Sequence, residues 1–260
     1  MSDVLTAPAL RARSAPQLLD ALFAVARGHA WDLFALGVLL HLPVHVFRVA
    51  GAFAGSGSLV WRMNPEFYIG SVWWSIWNPL AVTVTAVATC QVCLDGHTSI
   101  RRALEGMREG GWRLLGTVAA VTIILDGLFG LMSTDDPGGI LLLFIPLSIA
   151  IVWCAPAIPA AAVEKVAPWT AIRRALWLVR RNFWRVALVV WIVWAVTFIA
   201  DSELVNFAFS LTHRGTVSRV VDVAVDGALY PLRGIAIALV YLDCRVRREA
   251  FDLERMLRAE

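Results

Sequence analysis

The chain has 260 residues, 59% of them hydrophobic and only 17% charged, with a net charge of +3. Soluble domains carry about a quarter charged residues and under half apolar ones, and a single soluble core stops growing near roughly 250–300 residues. That composition excludes an ordinary soluble domain and points to a chain whose apolar faces are solvated by a bilayer.

Residues 1–14 read as a flexible N-terminus without the short apolar run and small-residue cleavage site of a removed signal peptide. From Ala15 on, Leu18, Leu22 and Val25 recur at helical spacing, an amphipathic segment that ends at Arg27 and Trp31. A spanning helix needs about 20 mostly apolar residues, and the first such run lies near 31–53. It carries His41, His45 and Arg48 on one helical face, with Pro43 between them as an expected kink. The second run, near 69–94, contains Asn78-Pro79 and the pair Cys90-x-x-Cys93.

A second amphipathic segment, marked by Ile100, Ala103, Leu104 and Met107, ends at Arg108 and Trp112 and leads into a third run near 114–132. That run holds Asp126 and the small residues Gly127 and Gly130, which permit close helix contact. The fourth run, near 140–163, contains Cys154 among Pro146, Pro156 and Pro159. A third amphipathic segment, with Ile172, Ala175, Leu176 and Val179, ends at Arg180 and Trp184 before the fifth run near 186–205. The sixth run, near 222–242, carries Asp222, Asp226, Tyr230 and Arg233 at spacings of four, four and three, and so on one face. Residues 244–260 read as an amphipathic tail helix.

The fold class expected is all-α: a polytopic membrane domain over residues 15–243, with six transmembrane helices as three hairpins. Each hairpin follows a cytoplasmic amphipathic helix, because Arg-x-x-x-Trp recurs as Arg27/Trp31, Arg108/Trp112 and Arg180/Trp184 at the entry to each odd-numbered span. The expected physics places the amphipathic helix in the headgroup layer, its arginines near anionic phosphates and its Trp at the hydrocarbon boundary. Of 23 Lys and Arg residues, 18 fall on one side of this topology. By the positive-inside rule that side is cytoplasmic, and it holds both termini.

The tail, YLDCRVRREAFDLERML, resembles the ending of the bacterial glycerophosphoryl diester phosphodiesterase membrane-domain family and related small membrane proteins. The family pattern is matched at Tyr241, Asp243, Arg245, Arg247, Glu249, Asp252 and Leu253, while Cys244 replaces its usual Leu and Ala250 its usual Gly. The stretch EKVAPWTAIRRALWLVRRNFWRV, from Glu164, is similar to the family's amphipathic entry helix, with Ala175 where Ser is common. The phosphodiesterase chemistry belongs to a separate soluble barrel that some members append. The resemblance therefore implies a six-helix membrane domain of the bacterial plasma membrane and implies no reaction. Read physically, the mixed charges from Asp243 to Asp252 suit a latch to the Arg-rich entry helices, or contact with a partner or lipid headgroup.

Ionisable groups inside spans are costly and are default functional candidates. Counted along the helices, Arg233 lies about 15 Å and Asp126 about 20 Å from the cytoplasmic boundary, a difference an arginine side chain covers. Pairing of Arg233 with Asp126 is expected, and Asp222 and Asp226 are expected to approach His45 and Arg48. Such a polar network either fixes helix order or lines a solute or proton pathway.

His41-x-x-x-His45 has i,i+4 spacing suited to a metal but lacks the Glu of a zinc peptidase, and Cys90-x-x-Cys93 lacks a second ligand cluster. Both read as packing, with the cysteines as reduced thiols. Neither a phosphate-binding loop nor a Gly-x-Ser-x-Gly elbow is present. No catalytic residue, cofactor or metal is expected, and the basic segments suit anionic lipid rather than nucleic acid. The leading expectation is an accessory or scaffold protein acting through lipid or membrane-protein contacts. The alternative is a small-solute or lipid transporter with a polar intramembrane cavity.

Overall fold

The computed structural model describes residues 12–54, 65–95, 100–131, 137–212 and 215–250. Among the described residues 92% are helical and none is in a strand. The helices are α1 (Ala15–Gly28), α2 (Ala30–Ala54), α3 (Pro65–Asp95), α4 (Ile100–Leu131) and α5 (Pro137–Cys154). They continue with α6 (Ala157–Glu164), α7 (Pro168–Val179), α8 (Phe183–Thr212) and α9 (Gly215–Glu249).

Four of them are long and apolar enough to cross a membrane by the described residues: Arg101–Leu128, Phe144–Glu164, Phe183–Leu204 and Val223–Glu249. They become five if α1 and the start of α2, which bend by 84°, count as one span. The protein is therefore an all-helical, membrane-embedded chain.

The segment starts follow from local chemistry. Ser14 closes a capping box on α1: its N–H donates to Gln17 Oε1 at 2.9 Å, and its Oγ accepts the Gln17 N–H at 3.5 Å. Arg13 is also held, as described below, so these two do not belong to the flexible segment expected over residues 1–14, of which 1–11 lie outside the described residues. The amphipathic-to-spanning transitions fall at bends. His29 separates α1 from α2, Arg180–Asn182 separates α7 from α8, and Gly111 interrupts α4 with φ 49 and ψ −139. A side chain strains there, which is why a glycine occupies the turn. The fourth run is likewise broken, at Ala155-Pro156, into α5 and α6.

The apolar faces of two entry helices turn inward. Leu18, Leu22 and Val25 of α1, and Ile172, Ala175 and Val179 of α7, are buried. They pack on α8 and α9 for α1, and on α4, α5, α6 and α9 for α7. Apolar spacing that reads as bilayer-facing is satisfied here by protein, because the bundle end offers a closer apolar surface than the headgroup layer. Trp31, Trp112 and Trp184 stay largely exposed at the three bends.

Helix α9 is the hub. It packs against α1, α2, α3, α6, α7 and α8, and 72% of its spanning segment is buried, against 22% for α4. Helices approach most closely where side chains are smallest, and Gly37 of α2 meets Gly227 of α9 backbone to backbone. A Cβ at position 37 would stand 2.9 Å from the Gly227 Cα and carbonyl carbon, with the carbonyl oxygen closer still. Buried hydroxyls bond back within their own helices: Thr83 to the Pro79 carbonyl at 2.6 Å, Thr89 to Thr85 at 2.8 Å and Thr117 to Arg113 at 2.8 Å.

Gly37→Ala should therefore lower the stability of the purified protein by about 1–3 kcal/mol through overpacking. Gly127→Ala, where nothing lies within 4 Å, should leave the thermal midpoint in detergent unchanged.

Candidate functional site

Two polar clusters sit on α9, one at its C-terminal end and one near its middle. At the C-terminal end, Tyr241 Oη donates to Glu164 Oε1 at 2.8 Å, and Arg245 Nη1 donates to Tyr241 Oη at 3.2 Å. Arg245 Nε pairs with Glu249 Oε2 at 3.0 Å and with Glu164 Oε1 at 3.8 Å. Arg174 of α7 closes the circuit, with its Nε 3.0 Å from Glu164 Oε2 and its Nη2 against Glu249 Oε1. All four charged side chains are mostly buried, at 12–24% exposure. Burial alone would lower the pKa of Arg174, but Glu249 and Glu164 outweigh it and raise the value above that of a free guanidinium.

Asp243, on the adjacent face, ties in the rest of this end. Its carboxylate accepts the Arg13 N–H at 2.7 Å and Arg247 Nε at 2.9 Å, and Arg185 Nη1 lies 4.0 Å away. Arg247 also donates to the Arg13 carbonyl, and Arg248 donates to that of Trp177 while stacking on its ring at 4.1 Å. Lys165, in the left-handed conformation after α6, pairs with Glu109 at 3.2 Å, and Arg113 donates to the Lys165 carbonyl at 2.8 Å. Arg13, Arg113, Lys165, Arg185 and Arg247 thus share one end of the bundle, although they come from five separate segments. The family-like residues Tyr241, Asp243, Arg245, Arg247 and Glu249 all belong to this network, whereas Asp252 lies outside the described residues.

The second cluster surrounds Arg233, which is 9% exposed. Its Nε donates to Thr197 Oγ1 at 2.9 Å, and its guanidinium lies over the Trp194 ring at 4.6 Å and the Tyr230 ring at 4.4 Å. A desolvated cation over aromatic faces is attracted by their quadrupoles. Tyr230 in turn stacks on His41 of α2, centroid to centroid at 4.4 Å, and its hydroxyl accepts from Asn78 Nδ2 of α3 at 3.3 Å. His41 Nδ1 donates to the Gly37 carbonyl at 2.8 Å. Asp226, one turn before Tyr230, is 1% exposed, and Asp201 of α8 is partly buried.

The expected pairing of Arg233 with Asp126 does not form. Asp126 is exposed on α4, and α4 packs chiefly against α3, α5, α6 and α7 rather than on the Arg233 helix α9. Similar depth does not imply equal azimuth. The approach expected of Asp222 and Asp226 to His45 and Arg48 involves His45, Arg48 and Asp222, whose side chains lie outside the described residues. It is His41 that meets the α9 face, through Tyr230.

Among the interfacial residues, Arg27, Arg108 and Arg180 are exposed, and Arg27 Nε donates to the Phe23 carbonyl at 3.3 Å. Cys90, Cys93, Cys154 and Cys244 are free and buried, and among the described residues no three His, Cys, Asp or Glu side chains converge as a metal set.

Several contributors were not singled out from sequence. Glu164 carried a signal, being the single acidic residue between Asp136 and Asp201 and set in a strongly basic stretch. Trp194 and Thr197 offered little, since Trp and Thr within an apolar run are ordinary. No protein-family model, curated protein or solved structure matches the chain.

Glu164→Ala leaves Arg174 and Arg245 sharing one carboxylate and should cost about 1–3 kcal/mol, with Tyr241→Phe costing about 1 kcal/mol. The double variant should cost less than the sum, because both remove the same hydrogen bond. Denaturation of the purified variants in mild detergent checks this.

Proposed function

We propose that this chain is a non-catalytic accessory or scaffold protein of a bacterial plasma membrane, acting through protein and lipid contacts. In this reading α2, α3, the part of α4 after Gly111, α5 with α6, α8 and α9 form six spans, paired as three hairpins. The basic end is cytoplasmic and carries both termini, with the exposed arginines and Trp31, Trp112 and Trp184 set at anionic headgroups. The resemblance of the tail to the phosphodiesterase membrane-domain family supports the same architecture, and we assign the chain to that group of membrane domains as a proposal.

The observation that carries the reading is the enclosure of Arg233. Its guanidinium is covered by Trp194 and Tyr230 and bonded to Thr197, and Gly37 and Gly227 close the adjacent helix contact. A cation so packed serves helix order more readily than passage of a solute. The alternative, a transporter, draws support from the run of titratable groups across α2, α8 and α9: His41, Asp201, Asp226, Tyr230 and Arg233.

One experiment separates the two. Proteoliposomes of the purified chain should hold an imposed pH gradient as long as empty vesicles do. Arg233→Leu should lower the thermal midpoint without changing that leak. A gradient that collapses with the wild type and is restored by Arg233→Leu would overturn the scaffold reading in favour of transport. Orientation is checked separately: a cysteine at the tail should react with an impermeant maleimide only after the cells are permeabilised.

A further inference from the structure

Helix α4 presents an outward stripe of Trp112, Leu115, Ala119, Ile123 and Asp126, at spacings of three, four, four and three, so that all five lie on one face. Each is exposed, Ile123 at 72%, and Gly127 beside them has nothing within 4 Å. Four of the five are what lipid asks for, with Trp112 at the boundary and aliphatic residues below it. Asp126 is not. It lies 14 residues beyond Trp112, about 21 Å along the helix and roughly two-thirds of the way through a hydrocarbon core of about 30 Å. Among the described residues it makes no hydrogen bond or ion pair. Its contrast with Asp226, 1% exposed on the hub helix, is direct, because a carboxylate in a span is expected to face protein.

Resting on the membrane placement and scaffold reading above, we propose that this stripe docks a transmembrane helix of another protein that presents a lysine or arginine in its outer third. Charge complementarity selects the occupant. A cation opposite Asp126 removes the penalty of a lone carboxylate in hydrocarbon, while Ala119 and Gly127 admit close approach of a second backbone. A second copy of this chain offers no such cation among the described residues: Arg233, at comparable depth, is enclosed by Trp194, Tyr230 and Thr197.

The probe is a synthetic polyleucine transmembrane peptide with one lysine about a third of the way in from its end, compared with the all-leucine peptide. Association with the full chain in proteoliposomes is read by energy transfer. The lysine peptide should associate about tenfold more tightly than the leucine peptide. Asp126→Asn should abolish that preference, and Asp126→Glu should keep it. If Asp126→Asn does not fold, Ala119→Trp, which keeps the carboxylate and obstructs the stripe, must abolish the same preference. The proposal is overturned if the wild type binds both peptides alike, or if the preference survives these two variants. It is also overturned if Ala119→Cys cross-links two copies on oxidation, which would make the stripe a homodimer seam. Any of these leaves the pH-gradient measurement on Arg233→Leu untouched, so failure of the docking face and failure of the sealed bundle are told apart.

Discussion

Arg233 has to be solvated by the protein itself, since a guanidinium at that depth has neither bulk water nor a headgroup within easy reach. The partners come from fixed positions on separate helices: Trp194 and Thr197 on one face of α8, and Tyr230 one turn away on α9. Tyr230 then recruits His41 from α2 and Asn78 from α3. Four helices are thereby set in rotation about one cation. In a bilayer this matters more than in water, because lipid tails are as apolar as leucine and no hydrophobic force specifies which helix faces which.

A single pin leaves a helix free to tilt about it, and the circuit at the C-terminal end of α9 supplies the second. Tyr241 stands eight residues beyond Arg233, about 12 Å along the axis. Its bond to Glu164, with the Arg174 and Arg245 pairs, couples α9 to α6 and α7. Asp243 couples the same end to the segment before α1 and to α8. The two clusters use different chemistry for a physical reason. Near the membrane surface, mixed-sign ion pairs keep partial water and tolerate their desolvation cost. At mid-depth the cation is covered chiefly by apolar aromatic faces and by a hydroxyl that is itself satisfied, Thr197 Oγ1 donating to the Trp194 carbonyl at 3.1 Å.

Much of this was legible in the sequence because it depends on one coordinate, depth. Run length marks which segments are apolar enough to cross a membrane, and the bends at His29, Gly111 and Arg180–Asn182 fall where the Arg-x-x-x-Trp recurrences stand. Spacing also put Asp226, Tyr230 and Arg233 on one face. What spacing does not contain is the order of helices around the hub, so Asp126 read as a partner for Arg233 although α3 and α6 intervene. For the same reason the apolar faces of α1 and α7 read as facing lipid. Amphipathic periodicity states that a face is apolar and is silent on whether protein or acyl chains cover it.

The division between hub and rim decides what a polar residue in a span means here. On α9, 72% buried, Asp226 and Arg233 are part of the fold's internal solvation, and altering them alters which helices touch. On α4, whose spanning segment is 22% buried, Glu109 and Arg113 tie the helix to Lys165, whereas a charge on the outward face meets no described partner. Asp126 is therefore a residue the bundle does not need and the bilayer penalises. The proposed docking helix would offset that cost, and the proposal thereby assigns the outward contact to the rim rather than to the polar centre.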